Sequence, residues 1–75
     1  MLSALVLLNT EIGSEAGVLK ELRKIESVEE ASLVYGEYDI VLRLELTSLR
    51  ELKQTVTWKI RKMDYVKATQ TMIIP

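Results

Sequence analysis

The 75-residue chain contains no cysteine and no histidine. Without cysteine, disulfides and thiolate metal sites are excluded. Without histidine, a zinc site would need carboxylates alone, which is an unusual ligand set. A domain this short buries only about 60% of its unfolded surface and is marginally stable by itself. Small domains gain extra stability from disulfides, from metals or from oligomerisation, and of these three only oligomerisation remains for this chain.

The chain also lacks an excess of charge of one sign, since 10 basic and 11 acidic side chains give a net charge of −1. This balance provides no electrostatic footprint for nucleic acid. The apolar start, residues 2–8, is too short to span a membrane. It also lacks the basic segment and the cleavage site of a signal peptide. We therefore expect a cytoplasmic protein with no direct nucleic-acid partner and no membrane association.

Four strands are predicted from the spacing of apolar residues, over residues 2–8, 28–35, 39–46 and 66–74. The third strand alternates most regularly. One of its faces carries Ile40, Leu42, Leu44 and Leu46, and the other carries Val41, Arg43 and Glu45.

Two helices are predicted between these strands. The first runs to Ile25, and Ser14 is expected to cap it by accepting an N–H of the first turn. The second starts with a capping box, in which Ser48 accepts the Glu51 N–H and Glu51 reaches back to the Ser48 N–H. A stripe at helical spacing continues this helix, and it consists of Leu49, Leu52, Val56, Ile60 and Met63.

A short sequence pattern occurs twice. Leu22-Arg-Lys-Ile-Glu-Ser-Val28 resembles Ile60-Arg-Lys-Met-Asp-Tyr-Val66, 38 residues further on. This repeat predicts two βαβ units and therefore an α+β, ferredoxin-like β-α-β-β-α-β fold. Right-handed crossovers are expected to place strands 1 and 3 in the centre, parallel to each other. Both helices then lie on one face of a four-stranded antiparallel sheet.

The first strand predicts that the opposite sheet face is covered. Both of its alternating sets are apolar, with Leu2, Ala4, Val6 and Leu8 in one and Leu5 and Leu7 in the other. An antiparallel sheet that faces water should alternate apolar and polar residues. Since burying each large aliphatic contributes about 1.5–3 kcal/mol, we predict a symmetric dimer that packs sheet to sheet, a dimeric α+β barrel. A strand of mixed pattern with a loosely covered surface is the other interpretation.

The order of these motifs resembles a known family, the C-terminal effector-binding or RAM domain of the Lrp/AsnC regulators. Four features support the resemblance: the apolar opening strand, the segment IESVEEASLVYGEYDIVLRLE with its G-x-Y-D turn, the MDYV before the last strand, and the terminal TQTMII. They cover essentially the whole chain. Family transcription factors carry an N-terminal helix-turn-helix, whereas this chain begins at strand 1. We therefore expect residues 1–75 to be a stand-alone RAM domain.

The resemblance implies a non-enzymatic regulatory module. In this family, dimers associate into ring-like octamers or decamers, and a free amino acid binds between neighbouring dimers. Stand-alone members are expected to modulate full-length Lrp/AsnC transcription regulators by mixed assembly. No cofactor and no metal are implied.

The G-x-Y-D turn offers groups that an amino acid requires. Such a ligand needs an acceptor for its ammonium group and donors for its carboxylate. Asp39 is the candidate acceptor, Gly36 allows backbone N–H groups to approach closely, and Tyr38 provides an apolar wall with a hydroxyl at its tip. Thr69 and Thr71 point to one side of the last strand and can donate or accept. By resemblance, the pocket pairs the turn of one dimer with the threonines of a neighbour.

Structural roles would also account for these residues. Gly36 could simply supply a positive φ in a hairpin, and Asp39 could bond the N–H groups of its own turn. Thr69 and Thr71 are ordinary strand-forming residues.

Other functions are open as well. One is a small dimeric α+β barrel enzyme, although general acid–base chemistry usually needs a histidine or a tuned carboxylate in a cleft, and Asp39 is the only such candidate. A second is an ACT-type amino-acid sensor, but the expected Gly-rich loop after strand 1 is lacking. A third is an assembly partner that binds no small molecule.

Overall fold

A computed structural model describes residues 2–74. The four strands are β1 (Leu2–Thr10), β2 (Val28–Leu33), β3 (Ile40–Leu46) and β4 (Val66–Ile74). The helices are α1 (Glu15–Leu22) and α2 (Leu49–Gln54), and α2 continues as a π-helical segment, Thr55–Ile60. This β-α-β-β-α-β order confirms the predicted fold class. Within residues 2–74, no helix combines the length and the apolar character that crossing a membrane requires.

The strands form one sheet in the order β2-β3-β1-β4, and every neighbouring pair is antiparallel. β1 and β3 occupy the centre, as predicted. Our expectation that they run parallel is wrong. Each helix joins two strands of the same direction, and the strand inserted between those two belongs to the other βαβ unit. That inserted strand runs the opposite way, so β1 and β3 are antiparallel.

The two helix starts differ in how they are capped. Ser48 accepts from the Glu51 N–H at 3.2 Å, as predicted. The Glu51 carboxylate accepts from the Thr47 hydroxyl at 2.7 Å instead of returning to Ser48. At α1, the Ser14 hydroxyl donates to the Glu11 carbonyl at 2.6 Å and makes no cap hydrogen bond to the helix. The cap predicted for Ser14 is therefore wrong, because the turn before α1 engages its hydroxyl.

The sequence repeat is also a repeat of backbone hydrogen bonds. After α1, the Ile25 N–H donates to the Leu22 carbonyl and the Val28 N–H donates to the Ile25 carbonyl, both at 3.1 Å. The corresponding bonds after the π-helical segment run from Met63 to Ile60 at 3.2 Å and from Val66 to Met63 at 3.1 Å. The bond from the Ile25 N–H to the Leu22 carbonyl lies just beyond the end of α1. The helix therefore ends at Leu22, three residues before Ile25, where the sequence predicted its end.

The core lies between the sheet and the two helices. The sheet contributes Ala4, Val6, Leu8, Ala31, Ile40, Leu42, Leu44 and Leu46, and the helical segments contribute Val18, Leu19, Leu22, Leu52 and Ile60. The face of β3 that carries Ile40, Leu42, Leu44 and Leu46 is fully buried.

The other face of the sheet, called the helix-free face from here on, has no element of the described chain packed on it. Strand register assigns to it the odd-numbered residues of β1 and β3 and the even-numbered residues of β4 from position 68 onward. Its apolar members are Leu5, Leu7, Val41, Ala68, Met72 and Ile74. Met72 and Ile74 are 42% and 39% exposed in the single chain.

The charged members of the helix-free face are paired with one another. Arg43 donates to Glu30 at 3.0 Å and to Glu45 at 3.1 Å. The hydrogen bond to Glu30 raises the pKa of Arg43, and Glu45 adds to this effect. Ser3 donates to the same Glu45 oxygen at 2.6 Å. The face therefore combines an apolar area with a polar edge whose hydrogen bonds are already made.

The repeated core positions predict a matched pair of destabilising substitutions. Leu22→Ala and Ile60→Ala should each lower the free energy of unfolding by about 2–5 kcal/mol, because both side chains are fully buried. Urea unfolding at one protein concentration measures the change. Ile12→Ala is the control, since Ile12 is 100% exposed, and it should change stability by less than about 0.5 kcal/mol. Tolerance of either core substitution would contradict the assigned core.

Candidate functional site

Gly36, Tyr38 and Asp39 lie in the loop of residues 34–39, which connects β2 to β3. Gly36 has φ +135°, a conformation that L side chains rarely adopt. A Cβ added there would meet no atom within 4 Å. The structural role considered for Gly36, a positive φ in the turn, accounts for this geometry. Close approach of a ligand to its backbone stays a prediction.

Asp39 fixes the end of this loop to the central strand β1. Its N–H donates to the Leu8 carbonyl at 3.0 Å, and its own carbonyl accepts from the Val34 N–H at 2.9 Å. The carboxylate Oδ2 accepts from the Thr10 N–H at 2.9 Å. The partner is thus a strand N–H, not one of the N–H groups of the same turn. Within residues 2–74, Oδ1 accepts no hydrogen bond, so half of this carboxylate is available to another donor.

Tyr38 extends from the loop over the helix-free face. Its hydroxyl donates to Gln70 Oε1 at 2.5 Å. Gln70 lies opposite Leu7 in the β1–β4 ladder, and Leu7 is on the helix-free face. The Tyr38 hydroxyl therefore has a partner on β4 already.

Thr69 and Thr71 lie on the other side of the sheet. They stand opposite Leu8 and Val6, which are fully buried under the helices. Thr71 lines a groove between α2 and β4. Within one chain, the loop and the two threonines do not converge. Their predicted pairing across neighbouring dimers involves two subunits and stays a prediction.

Sequence reasoning missed two residues at this site, Gln70 and Thr10. Strand alternation contained the signal for Gln70, because a residue between Thr69 and Thr71 must point to the opposite face. Thr10 gave no such signal, since its backbone N–H meets a side chain 29 residues away. The Thr10 hydroxyl is also buried and has no hydrogen-bond partner within residues 2–74.

A pocket of about 630 Å³ is lined by none of the five predicted site residues. It is formed by the loop after β1, the outer side of α1 and the turn before β4, and three carboxylates line it, from Glu11, Glu21 and Asp64. These carboxylates would repel the carboxylate of an amino acid and attract its ammonium group. In the described part of the chain, no group of three Asp or Glu side chains is arranged to hold a metal ion. An amino-acid site in the 34–39 loop stays a prediction.

Sequence comparison identifies relatives among transcription regulators. Residues 3–74 match the family described as Lrp/AsnC ligand binding domain. Over 71 residues, the chain is 30% identical to an uncharacterized HTH-type transcriptional regulator of Pyrococcus horikoshii, covering 95% of this chain and 45% of the regulator. The chain spans about half the length of the curated relatives it matches.

Solved structures share the fold. The crystal structure of FFRP-DM1 superposes with a TM-score of 0.97 at 41% identity, and 100% of each chain is covered. A transcriptional regulator of Neisseria meningitidis in complex with L-Met superposes with a TM-score of 0.88 at 18% identity, covering 99% of this chain and 49% of that chain. At this lower identity the likeness shows the fold alone.

The Asp39–Thr10 hydrogen bond predicts a graded loss of stability. Asp39→Ala should lower the free energy of unfolding by about 1–2 kcal/mol, because a charge-assisted hydrogen bond to a half-buried group is removed. Asp39→Asn keeps an acceptor oxygen and should lose less. Urea unfolding measures both variants. Equal losses in the two variants would show that the Thr10 N–H does not depend on this acceptor.

Proposed function

The chain belongs to the Lrp/AsnC ligand-binding domain family, and we propose on this basis that it is a non-enzymatic module that binds a free amino acid between associated dimers. Relatives that contain this domain are transcription regulators, which supports a regulatory role. The observation that carries the proposal is the Asp39 carboxylate: Thr10 fixes it through one oxygen, and the other oxygen is left without a partner within residues 2–74.

The chemistry of the 34–39 loop suits an amino acid. Asp39 Oδ1 accepts from the ligand ammonium, and the charge of both partners strengthens that bond. The N–H groups around Gly36 serve the ligand carboxylate, and Tyr38 provides an apolar wall beside the ligand. On the neighbouring dimer, Thr69 and Thr71 supply further donors. The regulator of Neisseria meningitidis that has this fold is described as a complex with L-Met, which supports an amino acid as the ligand class.

Dimerisation through the helix-free face is part of the proposal. The apolar residues of this face are only partly covered in one chain. Burying each large aliphatic among them contributes about 1.5–3 kcal/mol, which is substantial for a domain of this size. The Arg43 network satisfies its own charges within the subunit. A partner can therefore cover the polar edge without leaving an unpaired charge.

The proposal also includes a ring of several dimers and an interaction with full-length regulators. Dimers associate into a ring-like octamer or decamer, and mixed assembly with full-length Lrp/AsnC regulators transmits the amino-acid signal to transcription. A cytoplasmic location follows from that role. The competing function is an assembly partner that binds no small molecule, and the response to free amino acids distinguishes the two.

An amino-acid screen by thermal shift is the direct test. At 100 times its dissociation constant, a ligand should add about 2.7 kcal/mol to the free energy of unfolding. In a domain of this size, that corresponds to a rise in melting temperature of about ten degrees or more. We expect at least one of the common L-amino acids to produce this rise. No response to any amino acid would favour the assembly partner.

Asp39→Ala assigns the response to the loop. The variant should lose the shift, because the ammonium loses its acceptor, while its circular dichroism spectrum stays that of the wild type. Glu37→Ala is the matched control in the same loop, since Glu37 is exposed and has no predicted role. A variant at Asp39 that still responds would show that the site lies elsewhere.

A charge on the helix-free face should separate the subunits. Leu7 lies between Val41 and Gln70 on this face, so Leu7→Asp would place a carboxylate in the centre of the dimer contact. Sedimentation at micromolar concentration should then give the 8.6 kDa monomer. Leu33→Asp is the control, because Leu33 is 51% exposed on the other face, and it should sediment as the wild type does. An unchanged mass for Leu7→Asp would exclude this face as the contact.

A further inference from the structure

We propose that the chain has a second binding site, for an organic cation, in the cavity of about 630 Å³ beside α1. The class of ligand is a primary amine that has an apolar body and no carboxylate. This cavity, called the α1 cavity from here on, is formed by residues 11–14, the outer side of α1 and the turn before β4. The proposal does not depend on the amino-acid site, because the two sites share no residue.

Backbone hydrogen bonds hold the walls of the α1 cavity in place. The Glu11 N–H donates to the Tyr65 carbonyl at 2.9 Å, which joins the loop after β1 to the turn before β4. The Ser14 N–H and the Ser14 hydroxyl both donate to the Glu11 carbonyl, at 3.0 Å and 2.6 Å. The hydroxyl that does not cap α1 thus fixes this loop instead. Since small-molecule sites are usually formed in advance and enclose about 300–1,000 Å³, the cavity suits a small ligand.

The lining of the α1 cavity is largely apolar. Val18 and Met63 in this lining belong to the core or pack against it, whereas Ile12 and Tyr65 are 100% and 57% exposed. Gly17 stands on the outer side of α1 without a side chain, and a Cβ added there would meet no atom within 4 Å. Water therefore contacts apolar side chains here, and covering them with the apolar body of a ligand would be favourable.

The charged side chains that line the α1 cavity are all negative. Glu21 is paired with Lys24 at 2.9 Å, whereas Glu11 and Asp64 form no ion pair within residues 2–74. An ammonium group in the cavity would pair with these two carboxylates, and the Tyr65 ring offers a face to the same cation. Both carboxylates would repel a ligand carboxylate. The lining therefore favours an amine over the corresponding amino acid.

Dimerisation through the helix-free face leaves the α1 cavity open. The core lies between α1 and one face of the sheet, and a second subunit would cover the opposite face. A ligand in the α1 cavity is therefore bound by one subunit alone, whereas the proposed amino-acid site needs residues from two dimers. This difference allows the two sites to be tested separately.

Glycine-selective isotope labelling observes both sites in one NMR spectrum. The chain has three glycines, of which Gly13 and Gly17 line the α1 cavity and Gly36 lies in the 34–39 loop. The probe is phenethylamine. Its matched controls are phenylalanine, which adds a carboxylate, and phenethyl alcohol, which lacks the charge. The amine should shift the Gly13 and Gly17 amide signals and leave Gly36 unchanged. Both controls should bind there about 5-fold more weakly, the factor that two exposed ion pairs provide.

Three variants assign the binding to this cavity. Gly17→Leu should fill the cavity and abolish binding, and its melting temperature should stay the same or rise, because a helical glycine is replaced and no atom blocks its Cβ. Glu11→Gln and Asp64→Asn should each weaken amine binding about 2- to 5-fold and leave the binding of phenethyl alcohol unchanged. Glu29→Gln is the matched control, because Glu29 is an exposed carboxylate on β2 outside the cavity. It should bind the amine as the wild type does.

Saturable shifts of the Gly13 and Gly17 signals that disappear in Gly17→Leu support the site. Three results would overturn it: no shift of these signals at millimolar amine, binding that survives in the folded Gly17→Leu variant, or equal affinity for the amine and either control. A shift of Gly36 by an amino acid tests the proposed function instead. Either site can therefore fail while the other is supported.

Discussion

Two helices cover one face of a four-stranded sheet, and within residues 2–74 nothing covers the other. This constraint follows from the topology, because crossovers of the same, right-handed sense place α1 and α2 on one side of the sheet, where both contribute to a single core. The uncovered side carries Leu5 and Leu7 on the central strand and Met72 and Ile74 on the edge strand. A chain of this size has little stability in reserve. A second copy packed on that face would bury these apolar residues and so add stability that one layer of helices does not provide.

The candidate site depends on the same sheet. The 34–39 loop is not an independent turn, because Asp39 attaches it to β1 and Tyr38 attaches it to β4. Residues that would contact a ligand are thus placed by strands whose exposed side would contact a second subunit. A ligand at this loop would therefore lie next to strands that a second subunit would contact.

Much of the fold could be predicted from local patterns. The alternation in β3 separated its two faces correctly, and the repeat of Leu22–Val28 at Ile60–Val66 identified two equivalent units. Strand direction was assigned wrongly for β1 and β3, because the strand inserted into each βαβ unit belongs to the other unit and runs the opposite way. The π-helical segment had no signal either, since its apolar stripe keeps ordinary helical spacing. The cap at Ser14 failed because a preceding carbonyl accepts its hydroxyl proton.

The site was less predictable than the fold for a related reason. Gly36 requires a positive φ, and the sequence alone suggested this for a turn glycine. The partners of Tyr38 and Asp39 lie 32 and 29 residues away in the sequence. Such contacts depend on strand order and register, which local patterns do not contain. Thr69 and Thr71 matched a family pattern, but only register could assign them to the helix-covered face.

The central claim is that a second subunit covers the helix-free face, and Met72 reports on it directly. Met72 is 42% exposed in the single chain, and a thioether that peroxide can reach is oxidised to the sulfoxide. Its oxidation rate can be followed by mass spectrometry over a dilution series. The account predicts slow oxidation at micromolar concentration and an increase on dilution towards the rate in the urea-unfolded chain. Fast oxidation at every concentration would show that the face is free and would contradict the account.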